Sequence, residues 1–270
     1  MASRICCVIS FPTSLKFGPS SRQCNTAAVN GAGCADIFLV LIFMRVLAID
    51  TALAACSAAV LDTGNVGIVA SESLLMARGH AEALMPLVER VVKKSGVAFA
   101  EFERVVVTTG PGSFTGLRVG ISAARGLGVA TDIPVVGVTT LSAYAAPYLA
   151  ADDQIPVVVA IDARHDHVYL QVFGAGGRTL VAPRLAPLAD AIRAASEAPT
   201  RIVGTAAKAV AAGLAGTAPA PIIVDAREAP DIGWVARIGA AVAEAQAPPK
   251  PQYLRAPDAQ PQYAASLPRR

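Results

Sequence analysis

The sequence lacks any hydrophobic run long enough to cross a membrane. Its longest uninterrupted apolar run is eight residues, 37–44, whereas a spanning helix needs about 20. The mean hydropathy is nevertheless positive, at +0.51, because alanine supplies 55 of the 270 residues. We therefore predict a protein without a membrane segment.

An excess of charge of one sign is also missing. The 23 Lys and Arg residues face 20 Asp and Glu, a net charge of +3, of which residues 1–43 carry +2. The remaining chain is close to neutral, which gives no support for a general polyanion-binding surface. We therefore expect that this chain alone does not bind nucleic acid directly.

Cysteine is scarce outside the N-terminal segment. Residues 1–43 hold four of the five cysteines and show no apolar periodicity, and a clear strand pattern begins only around Met44. Our hypothesis is that residues 1–43 are a non-native or disordered extension and that Met44 is the real start. With Cys56 the only later cysteine, we predict no disulfide framework and a cytoplasmic location.

A strand pattern occurs twice in the chain. Each copy has an apolar strand ending in Ala-Ile-Asp, a short turn and a second strand, and the two aspartates, Asp50 and Asp162, lie 112 residues apart. This repeat indicates a duplicated α/β fold. We predict a first lobe at 44–145 and a second lobe with an extended C-terminal tail at 146–270.

Strands and helices alternate along both lobes, which predicts mixed sheets covered by helices. An amphipathic helix is predicted near residues 84–94, either starting close to Pro86 or kinked there. Three proline residues are expected to end the last helix, 232–245. Further strands are predicted at 105–109, 135–138, 201–203 and 222–224.

The groups that could bind a phosphate or a metal each have a structural alternative. Asp50 and Asp162 could hold a metal-bound water, with Thr51 beside a phosphate, or could be turn residues that bond their own backbone. Gly110 and Gly112 precede a helix and could expose amides to an anion. They fit neither the dinucleotide-binding nor the P-loop fingerprint.

Small residues recur every four positions after this loop, at Gly116, Gly120, Ala124 and Gly128. This stripe predicts either close packing on the lobe's own sheet or contact with a partner helix.

Each of the three histidines has a structural interpretation, and His165 and His167 also have a functional one. His80 is predicted to be a helix cap or a surface contact. His165 and His167 are read as solvated loop residues or as a weak metal site with neighbouring aspartates.

Six segments together resemble one known family, the bacterial TsaB (YeaZ) proteins, over residues 44–258. They occur in the family's order: MRVLAIDTALAACSAAVL, RGHAEALMPLV, VVVTTGPGSFTGLRVGISAARGLG, PVVGVTTLSAYA, VVVAIDARHDHVYL and PQYLRAPDA.

The resemblance implies the duplicated actin/Hsp70-like fold and a relationship to TsaD, a catalytic paralogue with a metal held by two histidines. Aligning the preceding strands places Thr140 and Tyr144 at those histidine positions. Neither side chain replaces an imidazole on a catalytic metal. We therefore expect no metal, no catalytic residue and no tightly bound cofactor, with weak ATP or ADP binding still open.

The resemblance also implies the function. We expect a subunit that is not an enzyme by itself, that binds TsaD with help from the ATPase TsaE, and that forms a homodimer when TsaD is absent. The complex transfers threonylcarbamoyl to N6 of adenosine 37 of tRNA, which this chain meets only within the complex. The interface is predicted on two helices of the first lobe, at Leu84, Leu87, Val88, Val91, Leu117, Gly120, Ile121 and Ala124.

Two alternatives from other classes remain open at the level of sequence. The first is a stand-alone phosphotransferase of the same superfold that uses Asp50 and Asp162 around ATP and Mg2+. The second is a degenerate, chaperone-like nucleotide sensor. Phosphate transfer without TsaD would favour the first alternative, and tight ATP binding without TsaD would favour the second.

Overall fold

The computed structural model describes residues 43–64, 67–216, 219–243 and 247–255. Nearly all of the predicted extension, residues 1–42, and the tail at 256–270 lie outside the described residues. The start at Met44 therefore stays a prediction. Within the part of the chain that the structure describes, no helix is long and apolar enough to cross a bilayer.

Within the described residues, ten strands and six α-helices follow one another. The first lobe contains β1 (Arg45–Asp50), β2 (Ala55–Asp62), β3 (Gly67–Leu75), α1 (His80–Ser95), β4 (Arg104–Gly110), α2 (Phe114–Thr131), β5 (Val135–Thr139) and α3 (Thr140–Ala151). The rest contains β6 (Val157–Asp162), β7 (His167–Phe173), β8 (Thr179–Pro187), α4 (Leu188–Ser196), β9 (Arg201–Val203), α5 (Ala207–Gly213), β10 (Ile223–Asp225) and α6 (Ile232–Ala241).

The two sheets repeat one topology. The first has the order β3-β2-β1-β4-β5 and the second β8-β7-β6-β9-β10. In each sheet the first three strands along the chain pair antiparallel, and the last two add in parallel. The duplication predicted from the repeated Ala-Ile-Asp is therefore confirmed.

Helices cover both faces of each sheet. Helices α1 and α2 pack on one face of the first sheet, and α4 and α5 pack on one face of the second. The inner faces are covered by α3 and α6, which also contact each other. The result is a layered α/β arrangement in which the central strands of each sheet, β1 and β4 in the first and β6 and β9 in the second, are buried on both faces.

The two inner helices are exchanged between the lobes. Helix α3 follows the first sheet, but its Leu141 and Tyr144 share a core with Val159 of the second sheet. Helix α6 follows the second sheet, but its Val235 shares a core with Val46 of the first. The lobe boundary at residue 145 stays a prediction, while residues 232–241 pack with the first sheet.

A buried arginine holds the end of each exchanged helix. Arg104 and Arg201 are the first residues of β4 and β9, the corresponding strands of the two lobes, and each is only 5% exposed. Nη1 of Arg104 donates to the carbonyls of Gly239, Ala240 and Val242 at 2.8, 3.1 and 2.6 Å. Nη1 of Arg201 donates to the carbonyls of Tyr148 and Asp152 at 2.6 and 2.7 Å. Carbonyls left open at a helix end are thereby satisfied by a cation.

Two predicted helix boundaries are wrong. Helix α1 begins at His80, well before Pro86, whose ring lies on the exposed side. Helix α6 ends at Ala241 rather than at the prolines. Arg104 donates to carbonyls in the last turn of this helix. Strand β3 and helix α3 were not predicted, because β3 is a half-exposed edge strand and α3 has no polar face.

Candidate functional site

The candidate site lies where the first sheet meets the second lobe, at the carboxyl ends of β1, β4 and β5. In open α/β sheets, ligands commonly bind at this end of parallel strands. Asp50, Thr108 and Thr139 end or nearly end these three strands. The predicted glycine loop runs from β4 into α2 at the same edge.

Asp50 is fully buried and bonded within the chain. Its Oδ1 accepts from the Thr108 hydroxyl and from the Ala52 amide, at 2.5 and 2.9 Å. Among the described residues no group bonds its Oδ2. Burial raises the pKa of this carboxyl, against the opposing effects of Thr108, the Ala52 amide and His80. Asp50 therefore makes the bond of the turn-residue alternative, and its predicted contact with phosphate or metal stays a prediction.

The second aspartate repeats the turn but not the burial. Oδ1 of Asp162 accepts from the Arg164 amide at 2.9 Å, as Asp50 does from Ala52, and its own amide donates to Thr205 Oγ1 at 2.8 Å. Its side chain is exposed. The duplicated sequence has therefore kept one hydrogen bond, from the amide two residues on, in two electrostatic settings, and of the two aspartates only Asp162 is exposed.

The glycine loop is closed by the turn after β1. The Ser113 amide donates to the Ala52 carbonyl and Thr51 Oγ1 donates to the Gly116 carbonyl, both at 2.7 Å. A Cβ added at Gly112 would lie 2.3 Å from the Ala52 oxygen, and one at Gly116 would lie 2.1 Å from the Thr51 oxygen. These glycines allow backbone to meet backbone. The predicted phosphate contacts of Thr51 and Gly112 stay predictions, and in this arrangement both residues are packed against neighbouring backbone.

Gly110 has a different neighbour. Its φ is +105°, which favours glycine, and a Cβ there would lie 3.0 Å from the Gln252 carbonyl oxygen. A segment 142 residues further along the chain therefore lies against Gly110, and the predicted phosphate contact there stays a prediction. No short-range pattern in the sequence could reveal this contact.

The predicted interface residues are core residues of the first lobe. The seven side chains in this set are at most 3% exposed and Gly120 is buried, because the apolar stripes of α1 and α2 cover the lobe's own sheet. Gly120 meets Thr51 and Val107, and Gly128 meets Val135. The own-sheet alternative is confirmed for the small-residue stripe. Direct partner contact stays a prediction for the eight positions, all of which are buried in this chain: Leu84, Leu87, Val88, Val91, Leu117, Gly120, Ile121 and Ala124.

The residues at the paralogue's histidine positions are buried. Thr140 begins α3, and the Tyr144 hydroxyl one turn later donates to the Arg227 carbonyl at 2.9 Å. Burial raises the pKa of Tyr144, and Asp50 raises it further. Its phenol is thus kept protonated and engaged, which is unsuited to metal ligation.

His80 makes a structural contact, and the other two histidines are exposed at the turn into β7. His80 Nε2 lies 3.0 Å from the Leu53 carbonyl, so it donates and ties the start of α1 to the turn after β1. His165 and His167 are exposed, and His167 Nδ1 lies 2.6 Å from the His165 carbonyl. Within the described ranges, no group of three His, Cys, Asp or Glu side chains could hold a metal.

Comparison with known proteins places the chain in a family. The profile of TsaD, tRNA N6-adenosine threonylcarbamoyltransferase, matches residues 66–226. The Escherichia coli tRNA threonylcarbamoyladenosine biosynthesis protein TsaB is 38% identical over 126 residues, 47% of this chain and 53% of that protein. YeaZ of Pseudomonas aeruginosa superimposes with a TM-score of 0.63 at 26% identity, covering 78% of this chain and all of the other.

The chain belongs to the TsaB (YeaZ) family. An uncharacterised protein of Mycobacterium tuberculosis is 34% identical over 216 residues, which are 80% of this chain and 94% of that protein. The chain spans about half the length of the named TsaB relative from Escherichia coli, 53%. The structural match confirms the duplicated two-lobe fold that the TsaB resemblance implied.

The packing at Asp50 predicts an unusual pH dependence of stability. A raised pKa in the folded state gives stability that is complete below the unfolded pKa of about 4 and is lost as the pH rises through the folded pKa. Asp50→Asn removes the charge at every pH. We expect the free energy of unfolding of the variant, relative to that of the original chain, to rise as the pH is raised from about 4.5 to about 7. Urea unfolding at both pH values measures it.

The control for this prediction is Asp162→Asn, which changes the exposed counterpart in the same turn. It reports the effect of the same substitution where the side chain is exposed. The prediction is contradicted if the difference in free energy of unfolding between Asp50→Asn and the original chain is the same at about pH 4.5 and about pH 7.

Proposed function

We propose that this TsaB-family chain is a non-catalytic subunit of the machinery that places threonylcarbamoyl on N6 of adenosine 37 of tRNA. Family membership supports the pathway, through the relative named for this biosynthesis. The observation that supports a non-catalytic role is the burial of Asp50, together with the filled glycine loop. Because the described residues close this edge, we expect the chain to act through a catalytic partner.

The proposed partner is a TsaD-like paralogue, assisted by a TsaE-like ATPase, with homodimers when TsaD is absent. The near-neutral charge supports contact with tRNA only within the complex. We expect at most weak ATP or ADP binding by the isolated chain, because the amides of Ser113 and Gly116 are already bonded. The phosphotransferase alternative requires both Asp50 and Asp162 around ATP and Mg2+, and the burial of Asp50 disfavours it.

The proposed contact surface is the outer face of α1 and α2. These helices lie side by side on the first sheet, and their inner stripes are used in the core. The outer face mixes apolar and charged groups, as protein interfaces do. Its exposed residues include Met85, Glu89, Ser122, Arg125 and Val129.

A charge at this face should break the complex without unfolding the chain. Met85 is 46% exposed on α1, and Met85→Arg places a cation in the proposed interface. We expect its Kd for a TsaD-like protein to rise at least about tenfold, since central interface positions cost about 2 kcal/mol or more. Ser122→Arg on α2 should act in the same direction. Calorimetry with the purified proteins measures both.

The matched control is Leu180→Arg, an exposed leucine on β8 of the second lobe. It should bind the TsaD-like protein as the original chain does. Normal affinity in both Met85→Arg and Ser122→Arg would sink the assignment of this face, and failure of the original chain to bind at all would sink the proposed partnership.

A further inference from the structure

The segment 249–255 crosses from the first lobe to the second. On the first lobe, the Gln252 amide donates to the Thr109 carbonyl at 2.7 Å, at the end of β4. Its carbonyl oxygen lies against Gly110, and Pro249 is buried against Gly137 of β5. The segment therefore covers the carboxyl ends of two neighbouring strands of the first sheet.

A side-chain stack holds the middle of this segment to α2. The rings of Tyr253 and Phe114 lie 4.9 Å apart, and the Arg118 guanidinium carbon lies 3.9 Å from the centre of the Phe114 ring. Nε of Arg118 also donates to the Tyr253 hydroxyl at 3.2 Å. Stacked rings and a cation over a ring each stabilise such a contact. This contact is independent of the backbone bond at Gln252.

The end of the segment contacts the second lobe. Leu254 packs against the core that contains Val159 and Ile161 of β6. Nη1 of Arg255 donates to the Ala163 carbonyl at 2.6 Å, in the turn that follows β6. Two consecutive residues thus reach across to the strand that carries Asp162.

The composition of the segment favours one conformation. Prolines at 248, 249 and 251 fix their φ angles and restrict the preceding residues. The unfolded chain loses less entropy when such a segment is ordered. An extended, proline-rich stretch is therefore suited to span two bodies at little conformational cost.

We propose that residues 249–255 form a latch that fixes the two lobes to each other and closes the edge beside Gly110 from within the chain. The latch has anchors on both lobes: the Thr109 carbonyl and the Phe114 stack on one side, the Ala163 carbonyl and the β6 core on the other. Releasing either side loosens the other, because one short segment carries both. This proposal does not depend on the partnership with TsaD.

The test compares Tyr253→Ala, which removes an anchor on the first lobe, with Arg255→Ala, which removes an anchor on the second. Both are made in the full chain, with Arg178→Ala, an exposed arginine of the second lobe, as the control. Hydrogen exchange by NMR follows two amides: Gln252, bonded to Thr109, and Ala163, bonded to the His167 carbonyl at 2.9 Å.

The latch predicts effects across the lobes. Tyr253→Ala should speed exchange at Ala163, and Arg255→Ala should speed exchange at Gln252, each at least about tenfold, with β4 amides unchanged. Arg178→Ala should change neither amide. If each variant affects only the amide on its own side, or neither amide changes by more than about twofold, the latch is overturned. Tyr253→Phe, which loses only the hydroxyl, gives the same comparison if the alanine variant does not fold.

Discussion

Replacing Gly116 by alanine is expected to cost about 3 kcal/mol of folding stability or more. The added Cβ would lie 2.1 Å from the Thr51 carbonyl oxygen, which is backbone and cannot swing aside. Either α2 or the turn after β1 must move, and the bond from Thr51 Oγ1 to the Gly116 carbonyl is then strained. A loss of this size is a large part of the 5–15 kcal/mol that stabilises a typical domain. Urea unfolding measures it.

The matched control lies on the same helix. Gly126 of α2 is exposed, and a Cβ added there meets nothing within 4 Å. Gly126→Ala should therefore stabilise the chain by up to about 1 kcal/mol, through helix propensity alone. Opposite signs at the two positions are expected. Equal effects would show that α2 does not pack on the turn as described.

Loss of either helix-end arginine is expected to cost about 3 kcal/mol, since each guanidinium is buried and bonds two or three helix-end carbonyls. Arg104→Met removes the donor that Gly239, Ala240 and Val242 share, and Arg201→Met does the same for α3. Methionine keeps the apolar part of the side chain. The loss of folding stability is therefore due to the missing hydrogen bonds of the guanidinium. Thermal and urea unfolding of the two variants measure it.

The control is Arg125→Met on the exposed face of α2. Its effect should stay within about 0.5 kcal/mol, as for most surface changes. Comparable stability in all three arginine variants would contradict the idea that buried cations hold the exchanged helices. Arg104→Lys should recover part of the loss, because one ammonium keeps the charge but has fewer fixed donors.

Local pattern was enough to predict the strands that carry the fold. Apolar β-branched runs gave β1, β4 and β6, and the repeated Ala-Ile-Asp gave the duplication, because the same hairpin must be built twice. The turn role of Asp50 and Asp162 was also within reach, since aspartate bonds the amide two residues on. These features depend on residues close in sequence.

Features that depend on distant contacts were not predictable. The stripe at Leu84 and Leu87 has the same pattern whether it meets the chain's own sheet or a partner, and the structure assigns it to the sheet. The exchange of α3 and α6 depends on which sheet each helix reaches. The cover over Gly110 comes from Gln252, and only the folded chain brings the two together.

The most direct test of the central claim is a reconstituted tRNA modification assay. Purified chain, a TsaD-like protein, a TsaE-like ATPase, the threonylcarbamoyl donor and tRNA are combined, and N6-threonylcarbamoyladenosine is measured with each protein left out in turn. The account predicts product only when this chain and the TsaD-like protein are both present. Product without the TsaD-like protein, or undiminished product without this chain, would contradict it.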